Sequence, residues 1–193
     1  MSDLQTGFTA SLHPLSLAGA VRASALRRPQ RLAVVEDKQP PLSYAALMAA
    51  ARDGRSHASP VVRWLAAEMA QDTAGENPRH RTLMLRALDN VVEHAVFDRD
   101  GASATTLPLD TEMGATAAMV SLLLGATLHV VDADALADGI AAGRFQTCWL
   151  CCEEKLWQGL PRPATVFRLA LCIGTPSSEL IWWLGRDRVA QAV

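Results

Sequence analysis

Lysine is nearly missing from this chain of 193 residues: Lys38 and Lys155 are the only two. Positive charge is carried by arginine, the formal net charge is −2, and no basic face stands out. The electrostatic footprint of a nucleic-acid binder is therefore absent, and no nucleic-acid partner is expected. Aromatic residues make up only 5% of the chain, with a single tyrosine at Tyr44. No apolar run approaches the roughly 20 residues that cross a bilayer. The opening MSDLQTGFTASLHPL has no basic region followed by an apolar one, so no signal peptide and no membrane association are expected. The expected location is the cytoplasm.

Cysteine is also scarce, at Cys148, Cys151, Cys152 and Cys172. In a reducing compartment these stay thiols. Cys148 and Cys151 have C-x-x-C spacing, which admits a metal or redox reading. A tetrahedral zinc site needs a second ligand pair, and none is evident, so no metal site is expected. Cys148 and Cys172 sit in apolar, strand-like runs, where cysteine acts as a small buried hydrophobe.

What is present is globular: half the residues are apolar and 20% are charged. The spacing of Leu17, Ala20, Val21 and Leu26 predicts a helix with Ser16 as N-cap and Pro29 at its end. RLAVVED (31–37) reads as a strand, with Leu42-Ser43-Tyr44 pairing back as a hairpin. Ser43 then caps a helix from Tyr44 to about Arg52. Helices follow at 61–71, with Pro60 in the first turn, and at 80–97. Beyond them strands and helices alternate. Strands are expected at 104–109, 126–132, 145–151 and 165–174. Helices are expected at 111–125 (closed by Gly125), 133–143, 152–160 and 177–186, the last capped by Ser177. Such alternation means βαβ crossovers. The expected fold class is α/β: one domain over 1–193 with a mostly parallel sheet and flanking helices. Residues 1–58 form its helix and hairpin portion, and 59–193 hold further helices and the βαβ core.

Three stretches in order resemble the adenylate-forming ligases, that is, acyl-CoA synthetases, fatty acyl-AMP ligases and peptide-synthetase adenylation domains. RRPQRLAVVEDKQPPLSYAALMAAA (27–51) resembles the opening "RPdrvAlv … lTYaeL" of that family. HRTLMLRALDNVVEHAVFDRDGASATTLPLDTEMGATAAMVSLLLGATLHVV (80–131) resembles the section from "HrnL" through "LPlfH" to "llGatvvl". FQTCWLCCEEKLWQGL through LALCIGTPSSEL (145–180) resembles the segment ending in "lr.v..gGapl". The resemblance implies a reduced version of the family's N-terminal domain.

It also implies where chemistry belongs, and what has changed there. Shortly before "HrnL" the family carries "TSGTTGxPKG", whose backbone N–H groups and hydroxyls cradle ATP phosphates. This chain has Asp72-Thr73-Ala74-Gly75-Glu76-Asn77-Pro78-Arg79 instead. A single glycine remains, and without glycines the backbone does not easily make the positive-φ turns that approach a phosphate. Thr73, Gly75, Pro78 and Arg79 are thus read as a degenerate phosphate loop. The same residues also describe a plain loop before a helix. Leu47 and Thr73 are 26 positions apart, 73 minus 47, which is shorter than the family pattern and implies an internal deletion. LPLDT puts Thr111 where "LPlfH" has its histidine. The chain stops at Val193, before "YGxTE" and the lid with its catalytic lysine, so the resemblance implies truncation.

No catalytic residue is therefore assigned, and no cofactor is expected, although ATP and Mg²⁺ serve the family. By resemblance, Thr111, Cys151, Gly174, Thr175 and Pro176 are the candidate ligand-binding residues on the carboxyl edge of the sheet, with Cys152 beside them. Gly174-Thr175-Pro176 reads equally well as a tight turn that needs glycine. His80 and Arg81 are read as structural, and His129 as a core or sheet-end histidine. The expected function is that of a ligase-like protein without adenylation activity of its own. It would act as a binding or partner subunit in fatty-acid, polyketide or peptide metabolism. A partner protein, an acyl carrier protein, a full-length ligase or a second copy is its expected company. The alternatives are an assembly module, a remnant acyl or nucleotide binder, and an acyl-transfer enzyme using Cys151 or Cys152.

Overall fold

Two serines and a threonine start helices in this chain by the same device. In the computed structural model Ser16 Oγ accepts from Gly19 N, at 2.9 Å, ahead of α1 (Leu17–Arg27). Ser43 Oγ accepts from Ala46 N, at 3.2 Å, ahead of α2 (Tyr44–Asp53). Thr111 caps α5 (Glu112–Leu124) in the same way. Each satisfies an N–H that the first helical turn leaves unpaired. The structure describes residues 16–73, 82–87, 101–142, 147–160, 169–173, 180–184 and 187–189.

Between α1 and α2 the chain forms β1 (Leu32–Glu36) and the short β2 (Leu42–Ser43), an antiparallel pair. A 3-10 turn (Gly54–Ser56) leads from α2 to α3 (Pro60–Thr73). Residues 82–87 are helical (α4). The alternating part then runs β3 (Ala102–Thr105), α5, β4 (Thr127–Val130), α6 (Ala133–Ala141), β5 (Thr147–Glu153), α7 (Glu154–Gly159) and β6 (Leu169–Ile173). Strands β7 (Leu180–Leu184) and β8 (Asp187–Val189) close the described chain.

The sheet order is β2-β1-β4-β3-β5-β6-β7-β8. The five strands β1, β4, β3, β5 and β6 are parallel, and β2, β7 and β8 add antiparallel edges. The expected α/β class with a mostly parallel sheet is what the structure has. Alternation along the strands divides the core between two faces. Leu128, Trp149 and Cys151 pack with α1 to α5 on one face. Ala104, Leu150 and Cys152 pack with α6 and α7 on the other. Helix α5 lies deepest, buried from Gly114 to Leu122. Its C-terminus is closed by Gly125 at φ 70°, a left-handed position that glycine takes at no steric cost.

Several expectations need correction. Residues 180–184 are not part of a helix at 177–186 but form β7, antiparallel to β6, with Ile173 opposite Leu180 and Leu169 opposite Leu184. Trp182 and Trp183 therefore stand on a strand. A short apolar run such as LIWWL has no decisive periodicity, and its isoleucine and tryptophans suit a strand once β6 offers a pairing edge. The proposed cap Ser177 lies outside the described residues. The strand expected at 104–109 is β3 at 102–105, and the chain turns at 107–110 into α5. Strand β5 continues to Glu153, so α7 starts two residues later than expected. The helix expected at 80–97 is seen at 82–87, and its remaining residues lie outside those described.

Candidate functional site

The connections of the sheet single out one place. From β3 the chain crosses through α5 to β4, on one side and one face. From β5 it crosses through α7 to β6, on the other side and the opposite face. Neighbouring strands β3 and β5 thus send their connections apart, and the crevice at their carboxyl ends is a topological switch point, where open α/β sheets bind ligands. Thr106 N donates to Cys151 O at 3.2 Å across its floor, and Val131 N donates to Thr105 O at 3.1 Å beside it. The 107–110 loop and the start of α7 flank it.

Thr111 stands at this edge, exposed, with its hydroxyl already engaged. Thr111 Oγ1 donates to Pro108 O at 2.6 Å and accepts from Gly114 N at 3.1 Å. The 107–110 loop presses so tightly on α5 that a Cβ on Gly114 would meet Pro108 O at 2.1 Å. The glycine makes that approach possible. Glu112, next in the chain, pairs with Arg86 of α4 at 2.5 Å and also lies in the first turn of α5, where a carboxylate opposes the helix dipole.

Cys151 is in register with Thr105 and Leu171, and its side chain is fully buried beside Trp149. Cys152 is equally buried on the opposite face. Both cysteines reach the switch point through their backbone only. Neither thiol is open to a substrate, which removes the structural basis for a cysteine nucleophile. Among the described residues no group of three or more His, Cys, Asp or Glu side chains is placed to hold a metal ion. None of the described helices is long and apolar enough to cross a membrane.

Of the residues read as a degenerate phosphate loop, Thr73 is the last residue of α3. Its N–H therefore belongs to a helical ladder. Gly75, Pro78 and Arg79 lie outside the described residues, as do His80, Arg81 and the candidate turn Gly174-Thr175-Pro176. Strand β6 ends at Ile173, opposite Glu153.

Long-range polar contacts, which no local motif signals, pin the same end of the sheet. The buried Glu36, last residue of β1, accepts from Val61 N through Oε1 at 3.1 Å, and Ser59 Oγ accepts from Val62 N at 3.1 Å. Together they satisfy the start of α3. Asp37 Oδ2 accepts from Asp132 N at 2.8 Å, while Asp132 Oδ1 caps α6 through Ala135 N. At the other end of the sheet Tyr44 donates its hydroxyl to Ala126 O at 2.7 Å. Burial raises the Tyr44 pKa well above the usual phenol range, against the opposing charge of Arg31. Burial lowers the pKa of His129 in β4. Trp149 Nε1 is buried with no hydrogen-bond partner among the described residues.

No protein-family model matches the sequence, and a search of the curated proteins finds no match. Solved structures do match. Apo MatB from Rhodopseudomonas palustris superposes with a TM-score of 0.56 at 13% identity, over 91% of this chain and 63% of MatB. O-succinylbenzoate coenzyme A synthetase (MenE) from Bacillus subtilis, in complex with ATP and magnesium ion, gives 0.54 at 10% identity, over 77% and 53%. VinN in complex with L-aspartate gives 0.53 at 10% identity, over 74% and 63%. The chain has the ligase-like α/β fold of adenylate-forming ligases, as the sequence resemblance implied. It spans less than two thirds of the length of each of these three.

Proposed function

We propose that this protein keeps the sheet of an adenylate-forming ligase but does not adenylate a carboxylate by itself, and that it acts by binding a protein of acyl or peptide metabolism in the cytoplasm. The observation that carries this reading is the stretch TAGENPR at 73–79, with one glycine where the family's phosphate loop has several. A phosphate cradle needs consecutive backbone N–H groups turned toward the anion. The continuation of α3 through Thr73 supports the reading, because a helical N–H is already spent.

The carboxyl edge supports it too. Asp37, Asp110, Glu112 and Asp132 follow the ends of β1, β3 and β4. That is a poor setting for the developing negative charge of phosphoryl chemistry, which calls for cationic or N–H groups. Thr111, at the position of the family's pocket histidine, has its hydroxyl engaged in a helix cap.

Carboxylate-dependent exchange of pyrophosphate into ATP tests the reading. The purified chain with Mg²⁺ is offered short, medium and long fatty acids and a set of amino acids. No exchange above the protein-free blank is expected. Exchange with any carboxylate overturns it.

A further inference from the structure

Cysteine is scarce in this chain, yet the sheet sets two of its four cysteines side by side. Cys152 of β5 and Cys172 of β6 are register partners across neighbouring parallel strands. Register partners of neighbouring strands fall on one face of the sheet, and the strands run about 4.8 Å apart. That spacing lies within the roughly 4.4–6.8 Å between Cα atoms that a disulfide spans. The other two cysteines are not placed so. Cys151 lies opposite Thr105 and Leu171, and Cys148 precedes the first register pair of β5 with β6, Trp149 with Leu169. Both members of the pair stand one residue from the end of their strands, since β5 ends at Glu153 and β6 at Ile173. Two backbones approach each other more easily at strand ends than within a ladder.

The thiol of Cys152 is buried in the cluster that holds Leu136, Ile140, Leu150 and Leu160. Helix α7 packs on both β5 and β6, with Leu156 and Trp157 half-buried against that cluster. It is held lightly. The helix has six residues, none of them buried, and Glu153 at its N-cap makes no side-chain cap bond. A helix this short has little stability of its own, and such elements open locally at low cost. Two neighbouring thiols in an apolar setting have two chemistries open to them. A soft metal ion on two thiolates leaves a buried net charge, which is costly without a compensating partner. A disulfide is neutral. Its Cβ atoms prefer about 3.8 Å, closer than the sheet spacing gives, so the bridge is strained and readily reduced. Those are the properties of a reversible pair rather than of a permanent staple.

We propose that Cys152 and Cys172 are a redox modification site, oxidised reversibly to a β5–β6 disulfide by low-molecular-weight disulfides when α7 lifts. The thiolate of one cysteine attacks a sulfur of the small disulfide, whose S–S bond breaks. One small thiolate leaves and takes up the proton that the cysteine gave up. The second cysteine then attacks the protein sulfur of the mixed disulfide and expels the second small thiol. The protein loses two electrons and two protons, and one small disulfide becomes two thiols. Because β5 forms one wall of the switch point, the bridge acts on the edge of the sheet where a ligand sits in this kind of fold.

The probe is glutathione disulfide, added to the reduced full chain without denaturant. Remaining thiols are alkylated at intervals, and the bridge is located by peptide mass mapping. A Cys152–Cys172 bridge is expected, lost again on adding dithiothreitol. Cys152→Ala and Cys172→Ala should each abolish it, while Cys148→Ala and Cys151→Ala should keep it. Trp157→Ala, which loosens α7, should speed the reaction about tenfold, with a thermal melt to show that the variant is folded. Mapping of the parent chain decides the pairing even where a cysteine variant does not fold. A bridge between any other pair overturns the proposal, as does a glutathione adduct that persists without forming the bridge. So does a bridge that forms only in urea, or an unchanged rate in Trp157→Ala. All of these outcomes are independent of the pyrophosphate-exchange test.

Discussion

Glu36 Oε1, at the end of β1, accepts a hydrogen bond from Val61 N in the first turn of α3 at 3.1 Å. The two residues are 25 positions apart, and the carboxylate is buried. A side chain of the sheet therefore shares the capping of α3 with the local cap Ser59, and it fixes α3 to the carboxyl end of β1. Glu36→Ala should destabilise the protein by about 1–2 kcal/mol, and Glu36→Gln by less, because the amide oxygen still accepts. Urea unfolding measures both. Equal loss in the two variants would count against the cap.

Gly114 is the tightest contact beside the switch point. Alanine there puts Cβ against Pro108 O and C, both backbone atoms, at 2.1 and 2.8 Å. Backbone does not yield as a side chain does. Gly114→Ala should cost about 3 kcal/mol or more and shift the 107–110 loop. A urea midpoint within experimental error of the parent would refute that contact.

Thr111 is expected to behave as a cap. Thr111→Ala should cost about 1 kcal/mol, while Thr111→Ser and Thr111→Asn should stay close to the parent, since both keep an acceptor for Gly114 N. Thermal melts of the three variants decide. A loss of similar size in all three would show that the hydroxyl cap is not what the position supplies.

His129 gives the protein a pH dependence of known sign. Burial holds its folded pKa below the usual 6.5, so the unfolded chain takes up the proton first as pH falls. Stability from this group is complete above about pH 6.5, declines below it, and is lost once the pH is below the folded pKa. Urea midpoints at pH 7.5 and pH 5 should fall further apart in the parent than in His129→Gln. The same drop in both would assign the dependence elsewhere.

Much of the fold was legible because its signals are local. Ser16, Ser43, Thr111 and Gly125 bound their helices by short-range chemistry that a sequence displays directly. The parallel core was legible because apolar runs alternate with amphipathic ones. LIWWL was misread because a five-residue apolar run suits a helix or a strand until a pairing edge is known. Strand β5 ran past its apolar residues to Glu153 because register with β6 extends it. At the site, the placement of Thr111, Cys151 and Cys152 at the carboxyl edge followed from the βαβ order. The burial of both thiols did not, because it depends on how α5, α6 and α7 cover the two faces. Glu36 with Val61 and Asp37 with Asp132 were invisible for the same reason: their partners are distant in the chain.

The most direct test of the central claim is a thermal melt with ATP, AMP and a set of acyl-adenylates in the presence of Mg²⁺. A ligand that binds only the folded state raises the melting temperature by mass action, by roughly 2.7 kcal/mol of stability at a hundred times its Kd. The account predicts no shift with any nucleotide or adenylate. A clear, concentration-dependent shift with ATP would contradict it and make the segment around Gly75 a working phosphate site.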